Sequence, residues 1–312
     1  MFRFILKRLG YGIFTTLVII TLTFFLIHLK PGDPMADGAK NLPAEAKQAY
    51  LHKHGLDLPI YKQYFRYMKK LVFEFDLGES LIYEGRTVSG IISKHGPISA
   101  TYGGLAILLE VLFGVTLGVI AAFKRGTWVD QAIGVLIILG ICVPGFVLAS
   151  LLQYVFSIKL KLVPIFGWGK FSNIILPAIA VSFGGMASYC KFMRNSTLSV
   201  IGEDYIITAK AKGVSKFDLV TKHVIRNAII PIITFLAPAI MGIFMGGFVI
   251  ERIFSIPGLG DNYVTAINSN DYIMIMGLTI FIAITYIIAL ILVDIFYGIA
   301  DPRIRVGQEK SK

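Results

Sequence analysis

Charge is scarce in this chain. Of 312 residues only 16% are Asp, Glu, Lys or Arg, while 55% are apolar and mean hydropathy is +0.73. Soluble domains carry roughly a quarter charged residues, so a soluble fold is excluded. Disorder is excluded too, because this much apolar surface cannot stay in water. There are two cysteines, Cys142 and Cys190, both in apolar stretches, which rules out a disulfide scaffold. Each reads as a small hydrophobe. The catalytic motifs are missing as well. No G-x-x-x-x-G-K-[ST] occurs, so the chain has no phosphate-cradling loop of its own. Nor is there an H-E-x-x-H, G-x-S-x-G or C-x-x-C. His52 and His54 form an H-x-H with no further ligands nearby, so no metal site is expected. Nothing points to an enzyme or to a cofactor held by this chain.

What is present is long apolar runs. A helix needs about 20 mostly apolar residues to cross the hydrocarbon core. Six stretches qualify: 9–29, 97–123, 131–158, 171–190, 228–250 and 272–299. Only two carry a formal charge, Glu110 in the second and Asp294 in the sixth. Barrel strands are short and alternating, so these runs predict helices. The fold class is therefore an all-α polytopic membrane protein with six transmembrane helices. It divides into an N-terminal segment with the first span (1–30), an outer loop subdomain (31–96), a membrane domain (97–300) and a tail (301–312). The basic start and apolar run of the N-terminus resemble a signal peptide, but the run is too long for one, and it reads as a retained span.

The net charge of +11 is explained by topology. With six spans both termini lie on one side. The short connections on that side hold sixteen Lys and Arg, including Lys124, Arg125, Lys210, Lys212 and Lys216. The opposite short connections hold four: Lys159, Lys161, Lys170 and Arg252. The positive-inside rule then places both termini in the cytoplasm and the chain in the cytoplasmic membrane, against anionic lipid. No basic stripe with stacking aromatics accompanies these charges, so nucleic acid is not a partner.

Two connections are too long to be simple turns. In the outer loop, Pro43 opens a predicted helix that Gly55 closes. Pro59 opens a second, with Ile60, Tyr64, Met68, Leu71 and Phe75 spaced along one apolar face. That face covers the chain's own spans or an external partner. In the inner loop 191–227, Glu203 and Asp204 sit where a helix N-terminus favours negative charge. Lys210 and Lys212 fall in the last turn of that helix, and Gly213 fits the left-handed position that ends it. Ser215 and Asp218 make an S-x-x-D cap for a second helix. Helix, glycine turn, helix predicts a stiff elbow, suited either to a solvated hairpin or to a lever moved by another protein.

Ionisable residues within spans are costly and are functional candidates by default. Glu110, near mid-span, must face the bundle interior or a wet cavity, or take up a proton, and is a candidate path-lining or gate residue or a hydrogen-bond partner of a neighbouring helix. Asp294 suits a structural pair near the inner surface. Pro144 and Pro238 interrupt the backbone ladder inside spans and mark possible bends in a path. Gly114 with Gly118, and Gly242 with Gly246, give two G-x-x-x-G patterns for close helix packing.

Several motifs then match one family in order along nearly the whole chain. They are Phe75-Asp76-Leu77-Gly78-Glu79-Ser80, Lys124-Arg125-Gly126, Asp204-Tyr205-Ile206-Ile207-Thr208-Ala209-Lys210-Ala211-Lys212-Gly213, His223-Val224-Ile225-Arg226-Asn227-Ala228 ending at Pro231, Pro257-Gly258-Leu259-Gly260, and Asp301-Pro302-Arg303-Ile304-Arg305. The sequence resembles the membrane permease subunit of ABC importers, in the branch that handles dipeptides, oligopeptides and sometimes nickel. The elbow is similar to that branch's EAA loop. Ile207 and Thr208 stand where the general pattern has Glu and Ala, and only Ala209 and Gly213 match it. The interval from Gly213 to Pro231 is longer than in the general pattern, as in the peptide branch.

The resemblance implies a coupling helix that docks a separate ATPase through Asp204, Tyr205, Ala209, Lys212 and Gly213. It implies a second similar permease, two cytoplasmic P-loop ATPases that hold ATP and Mg, and an extracytoplasmic substrate-binding protein. It implies import of short peptides, with nickel or another small solute of the same branch as the alternative cargo, along a path near Glu110, Pro144 and Pro238. Two rivals fit parts of the sequence. A proton-coupled secondary transporter would use Glu110 and Asp294, but calls for repeats with paired broken helices that are not seen. A membrane scaffold would carry no flux.

Overall fold

The computed structural model describes residues 2–29, 44–245 and 247–300. Among these, helix dominates, and the extended pairing is one isolated bridge between Glu79 and Thr87. In chain order the helices are α1 (Phe2–Leu29), α2 (Ala44–His54), α3 (Ile60–Lys69), α4 (Val88–Phe123), α5 (Trp128–Cys142), α6 (Gly145–Leu152) and α7 (Ser172–Ile201). There follow α8 (Asp204–Ala211), α9 (Lys216–Asp218), α10 (Arg226–Ala228), α11 (Ile230–Met245), α12 (Phe248–Phe254), α13 (Leu259–Asn268) and α14 (Tyr272–Ala300). Wider π-helical turns extend three of them, at Lys70–Glu74, Gln153–Lys159 and Leu219–Ile225. Four helices are long and apolar enough to cross a membrane, at Leu6–Leu29, Val88–Phe123, Ser172–Ile201 and Tyr272–Phe296. Two bent pairs bring the number of spans to six if each is counted as one.

Those pairs differ from the expected straight spans. The run 131–158 is broken: Trp128–Cys142 and Gly145–Lys159 meet at 105°. Pro144 has no backbone N–H and fixes its own φ at −60°, which stops α5 and restarts the chain in a new direction. The second pair, Lys216–Ala228 with Ile232–Phe244, bends by 63° where the elbow passes into the fifth apolar run. Pro238, expected to break that run, lies within continuous α11.

The residues fall into two compact units. One comprises Phe2–Ser99 with Pro257–Thr285. Its core joins Ile20 and Phe24 of α1 to Met276 and Ile280 of α14, and Tyr64, Met68 and Leu71 pack onto it. The predicted apolar face of 60–75 thus covers the chain's own helices. Ile60 and Phe75 depart from it and are exposed. The π-helical turn changes the angular phase after Lys69, and Phe75 ends the helix at φ 52°. The 75–80 motif wraps a buried carboxylate: Asp271 accepts from Ser80 Oγ (2.5 Å), Leu81 N (3.1 Å) and Met274 N (3.2 Å). Tyr50 donates to Leu81 O, and burial, with the Asp271 charge nearby, pushes its phenol up to about 12. In the 257–260 turn, Leu259 N donates to Ser99 Oγ at 2.8 Å.

The other unit is Ala100–Ile256 with the chain from Tyr286. Here α7 is the shared neighbour. A Cβ added at Gly114 of α4 would lie 2.6 Å from Tyr189 Cβ and 3.0 Å from Met186 O. At Gly118 it would lie 2.7 Å from both Cys190 O and Met193 Cβ. The first G-x-x-x-G therefore lets α4 touch the α7 backbone within this chain. Gly140 of α5 does the same against Ala187 and Phe183. Near the start of α5, Asp130 takes a two-pronged bond from Arg194 of α7, at 2.7 and 2.8 Å.

Gly118→Leu forces side-chain atoms into the α7 backbone, at a cost of about 1–3 kcal/mol or more. Gly104→Leu, on the same helix with nothing within 4 Å, serves as control. Thermal unfolding of the detergent-purified protein should fall clearly for the first and little for the second.

Candidate functional site

Two places carry the functional candidates: the elbow after α7, and a cavity beside Glu110. The elbow is built from its own apolar core. Ile206 and Ala209 of α8 meet Leu219 and Val224 from the second helix, with Val200, Ile201 and Val214 around them. The turn between the helices is closed by main-chain bonds. Gly213 N donates to Lys210 O (3.0 Å) and Val214 N to Ala209 O (3.2 Å), the paired bonds of a Schellman motif. Gly213 supplies the left-handed residue this requires, at φ +77°. Nothing lies within 4 Å of where its Cβ would be, so glycine is needed for the backbone angle alone. Val214, the next residue, makes the apolar contact that accompanies such turns.

Ser215 then caps the second helix, its Oγ accepting from Asp218 N at 3.1 Å. Lys222 pairs with the Asp218 carboxylate at 2.6 Å. That ion pair, with a bond from Ser215, holds the Asp218 carboxyl below the usual range. A clamp closes the far side: Asn227 Nδ2 donates to Tyr205 Oη (2.8 Å) and to His223 O (2.9 Å). Among the expected coupling residues, Asp204, Lys212 and Gly213 are exposed, and Tyr205 presents its ring while its hydroxyl is engaged. Ala209 is placed differently from a docking contact. It is buried in the elbow core, where a larger side chain would part the two helices. Phe217, 77% exposed, follows the turn directly, and Ile207 on α8 is exposed as well; neither was singled out as a docking residue from the sequence. An aromatic between Lys216 and Asp218 at a helix start was the available signal.

The cavity has a volume of about 400 Å³. Its walls come from α4, from the break around Pro144, from α7, and from α11 and α12. Glu110 lines it and is only 7% exposed. Its carboxyl packs over Gly185, where an added Cβ would collide with it. Val143 and Gly145 flank Pro144 in the wall, and Ala239 follows Pro238, so the two prolines adjoin the cavity without themselves lining it. Gly242 was expected to mediate helix packing, yet nothing lies within 4 Å of where its Cβ would be, and it lines this space. Its companion Gly246 and the tail motif 301–305 lie outside the described residues. Asp294 lies partly buried on α14, away from the cavity lining. Sequence reading missed Glu251, which it placed just past a span. It is fully buried on α12 and accepts from Tyr102 Oη at 2.9 Å. Among the described residues no three His, Cys, Asp or Glu cluster to hold a metal.

A polytopic helical chain with a broken apolar segment, a cavity among its helices and a preformed hairpin has the make-up of a membrane transport component. The chain belongs to the family of binding-protein-dependent transport system inner membrane components, whose model matches residues 114–306. The N-terminal model for such components matches residues 1–81. The chain is 41% identical over 311 residues to the dipeptide transport system permease protein DppB of Bacillus subtilis, covering 99% of this chain and 100% of that one. It is 38% identical to the corresponding DppB of Lactococcus lactis subsp. cremoris, over 98% of this chain and 100% of that one. It is 37% identical to the oligopeptide transport system permease protein OppB of Salmonella typhimurium, again over 98% and 100%.

Two outcomes follow from this geometry. Ser215→Ala removes the cap bond, worth about 1 kcal/mol, and should speed amide hydrogen exchange at Asp218 several-fold. Tyr102→Phe takes a donor from a buried carboxylate and should destabilise the protein by about 1–3 kcal/mol, read by thermal unfolding.

Proposed function

We propose that the chain is a permease subunit of an ATP-driven importer of short peptides. Full-length similarity to dipeptide and oligopeptide permeases carries the reading, and the preformed elbow supports it. In this reading the elbow, with both termini, lies in the cytoplasm and seats in a groove of an ATPase. Asp204, Tyr205, Lys212 and Gly213 meet that subunit at the surface, together with Phe217, and Ala209 holds the elbow's core.

The partners are a second permease, two P-loop ATPases that bind ATP and Mg, and an extracytoplasmic binding protein that delivers the peptide. The path passes the Glu110 cavity, beside the break at Pro144 and the stretch of α11 that carries Pro238, and Asp294 is structural. Stiffness is what the elbow contributes. Movement of a docked ATPase reaches the bundle only if the hairpin moves as a body. Its buried core, closed turn, cap and clamp each oppose bending within it. The relatives' names do not favour a proton-coupled mechanism.

Gly213→Val tests the coupling role. A β-branched residue in the left-handed region costs about 1–3 kcal/mol, and there is space for the side chain itself. Uptake of a radiolabelled dipeptide into proteoliposomes should fall roughly tenfold, since about 1.4 kcal/mol is a factor of ten. Peptide-stimulated ATP hydrolysis should fall with it, at unchanged membrane insertion. Normal uptake by this variant would remove the elbow from the mechanism.

A further inference from the structure

We infer that the Glu110 carboxylate is the seat for the positively charged amino terminus of a peptide passing through the cavity. The inference rests on the import reading and adds the contact the substrate makes. Three observations carry it. The first is isolation: no described residue hydrogen-bonds to or ion-pairs with Glu110, although it is 93% removed from solvent contact within the chain. The second is contrast. Among the described residues, three other carboxylates withdrawn from solvent have partners: Glu251 has Tyr102, Asp271 has Ser80 and two backbone N–H groups, and Asp130 has Arg194. The third is the wall around it. Besides Glu110, the ionisable group lining the cavity is the Tyr102 phenol, and its proton is directed to Glu251. The remaining lining is apolar or glycine, including Ile107, Phe146, Phe183 and Gly242.

A carboxylate removed from water without a partner costs several kcal/mol. A cation arriving within hydrogen-bond reach offsets that cost. Glu110 therefore gives the cavity one open ionic function, and its complement is a compact cation with N–H donors. The α-ammonium is the cationic group that every unmodified peptide carries, whatever its side chains. The volume suits a short peptide, since sites for small ligands run from about 300 to 1,000 Å³. Gly185 provides the close backing: with any side chain there, the Glu110 carboxyl would be displaced. One ionic contact in an otherwise apolar wall also suits passage, because a site on a path must hold its cargo weakly enough to let it go.

The test is uptake by the complete importer in proteoliposomes, comparing wild type with Glu110→Gln. The probes are a neutral dipeptide with a free amino terminus, its N-acetyl form, and an N-acetyl dipeptide containing lysine. Affinity of the isolated binding protein for each probe is measured separately and divided out. The expected result is a wild-type preference for the free terminus that falls roughly tenfold in Glu110→Gln, because the variant loses a charge-assisted bond. Uptake of the plain acetylated peptide should stay near the wild-type level. Equal loss of all three peptides, or no change in the preference, overturns the inference and leaves the import reading standing. Wild-type uptake of the lysine probe equal to that of the free dipeptide assigns the seat to any ammonium and overturns the amino-terminal assignment. If Glu110→Gln does not assemble, Glu110→Asp keeps the charge and must keep the preference; its loss there overturns the inference. Absence of any peptide uptake by the wild-type importer sinks the import reading and this inference together.

Discussion

The contact between bare helix backbones at α7 is the constraint on which its unit of the protein depends. Lipid tails are as apolar as leucine, so no hydrophobic drive holds membrane helices together, and close packing must do so. Gly114 and Gly118 on α4, and Gly140 on α5, let their helices approach α7 to main-chain distance. The Asp130–Arg194 pair pins the same helix at another level. From α7 the chain leads to α8 and the elbow, and α7 also supplies Gly185 beneath Glu110. A shift of α7 is therefore felt at the hairpin and at the cavity together, because one stiff helix reaches both.

Bends and cavity belong to one arrangement. The 105° break at Pro144 places Val143 and Gly145 in the cavity wall. Such irregular backbone at membrane depth is tolerated where protein or water covers its polar groups. The π-helical stretch Gln153–Lys159 that follows is held by Gln153, whose amide donates to Ile165 O and Ile253 O at 2.9 Å each. Glu251 and Tyr102 close another side of the same region with a buried bond. The wall is thus fixed by specific polar contacts, while its lining toward the space, Glu110 and Tyr102 apart, stays apolar or glycine.

Much of this was legible in the residues. Apolar run length gave the spans, because crossing lipid demands it. Gly213, Ser215 and Asp218 gave the elbow, because the left-handed turn and the cap each require particular residue types. Mid-span placement of Glu110 required an interior or a cavity, and it lines one. Other features were hidden for physical reasons. Pro144 says that a helix is interrupted but not by what angle. Phe75 was assigned to an apolar face by a 3.6-residue period that the π-helical turn does not obey. Glu251 looked like a residue beyond the membrane because its partner, Tyr102, is 149 positions away. Gly242 announced free room in a helix surface, but sequence does not say whether a neighbour or a void fills that room.

The main-chain closure at Gly213 has a further consequence. A corner closed by amide and carbonyl groups owes its form to one glycine, to an inner layer of aliphatic residues, and to the Ser215 cap and the Tyr205–Asn227 bond. The outward side chains at 204, 207, 212 and 217 contribute almost nothing to that form, so they are free to vary. Surface chemistry at this corner can therefore change while its shape stays constant.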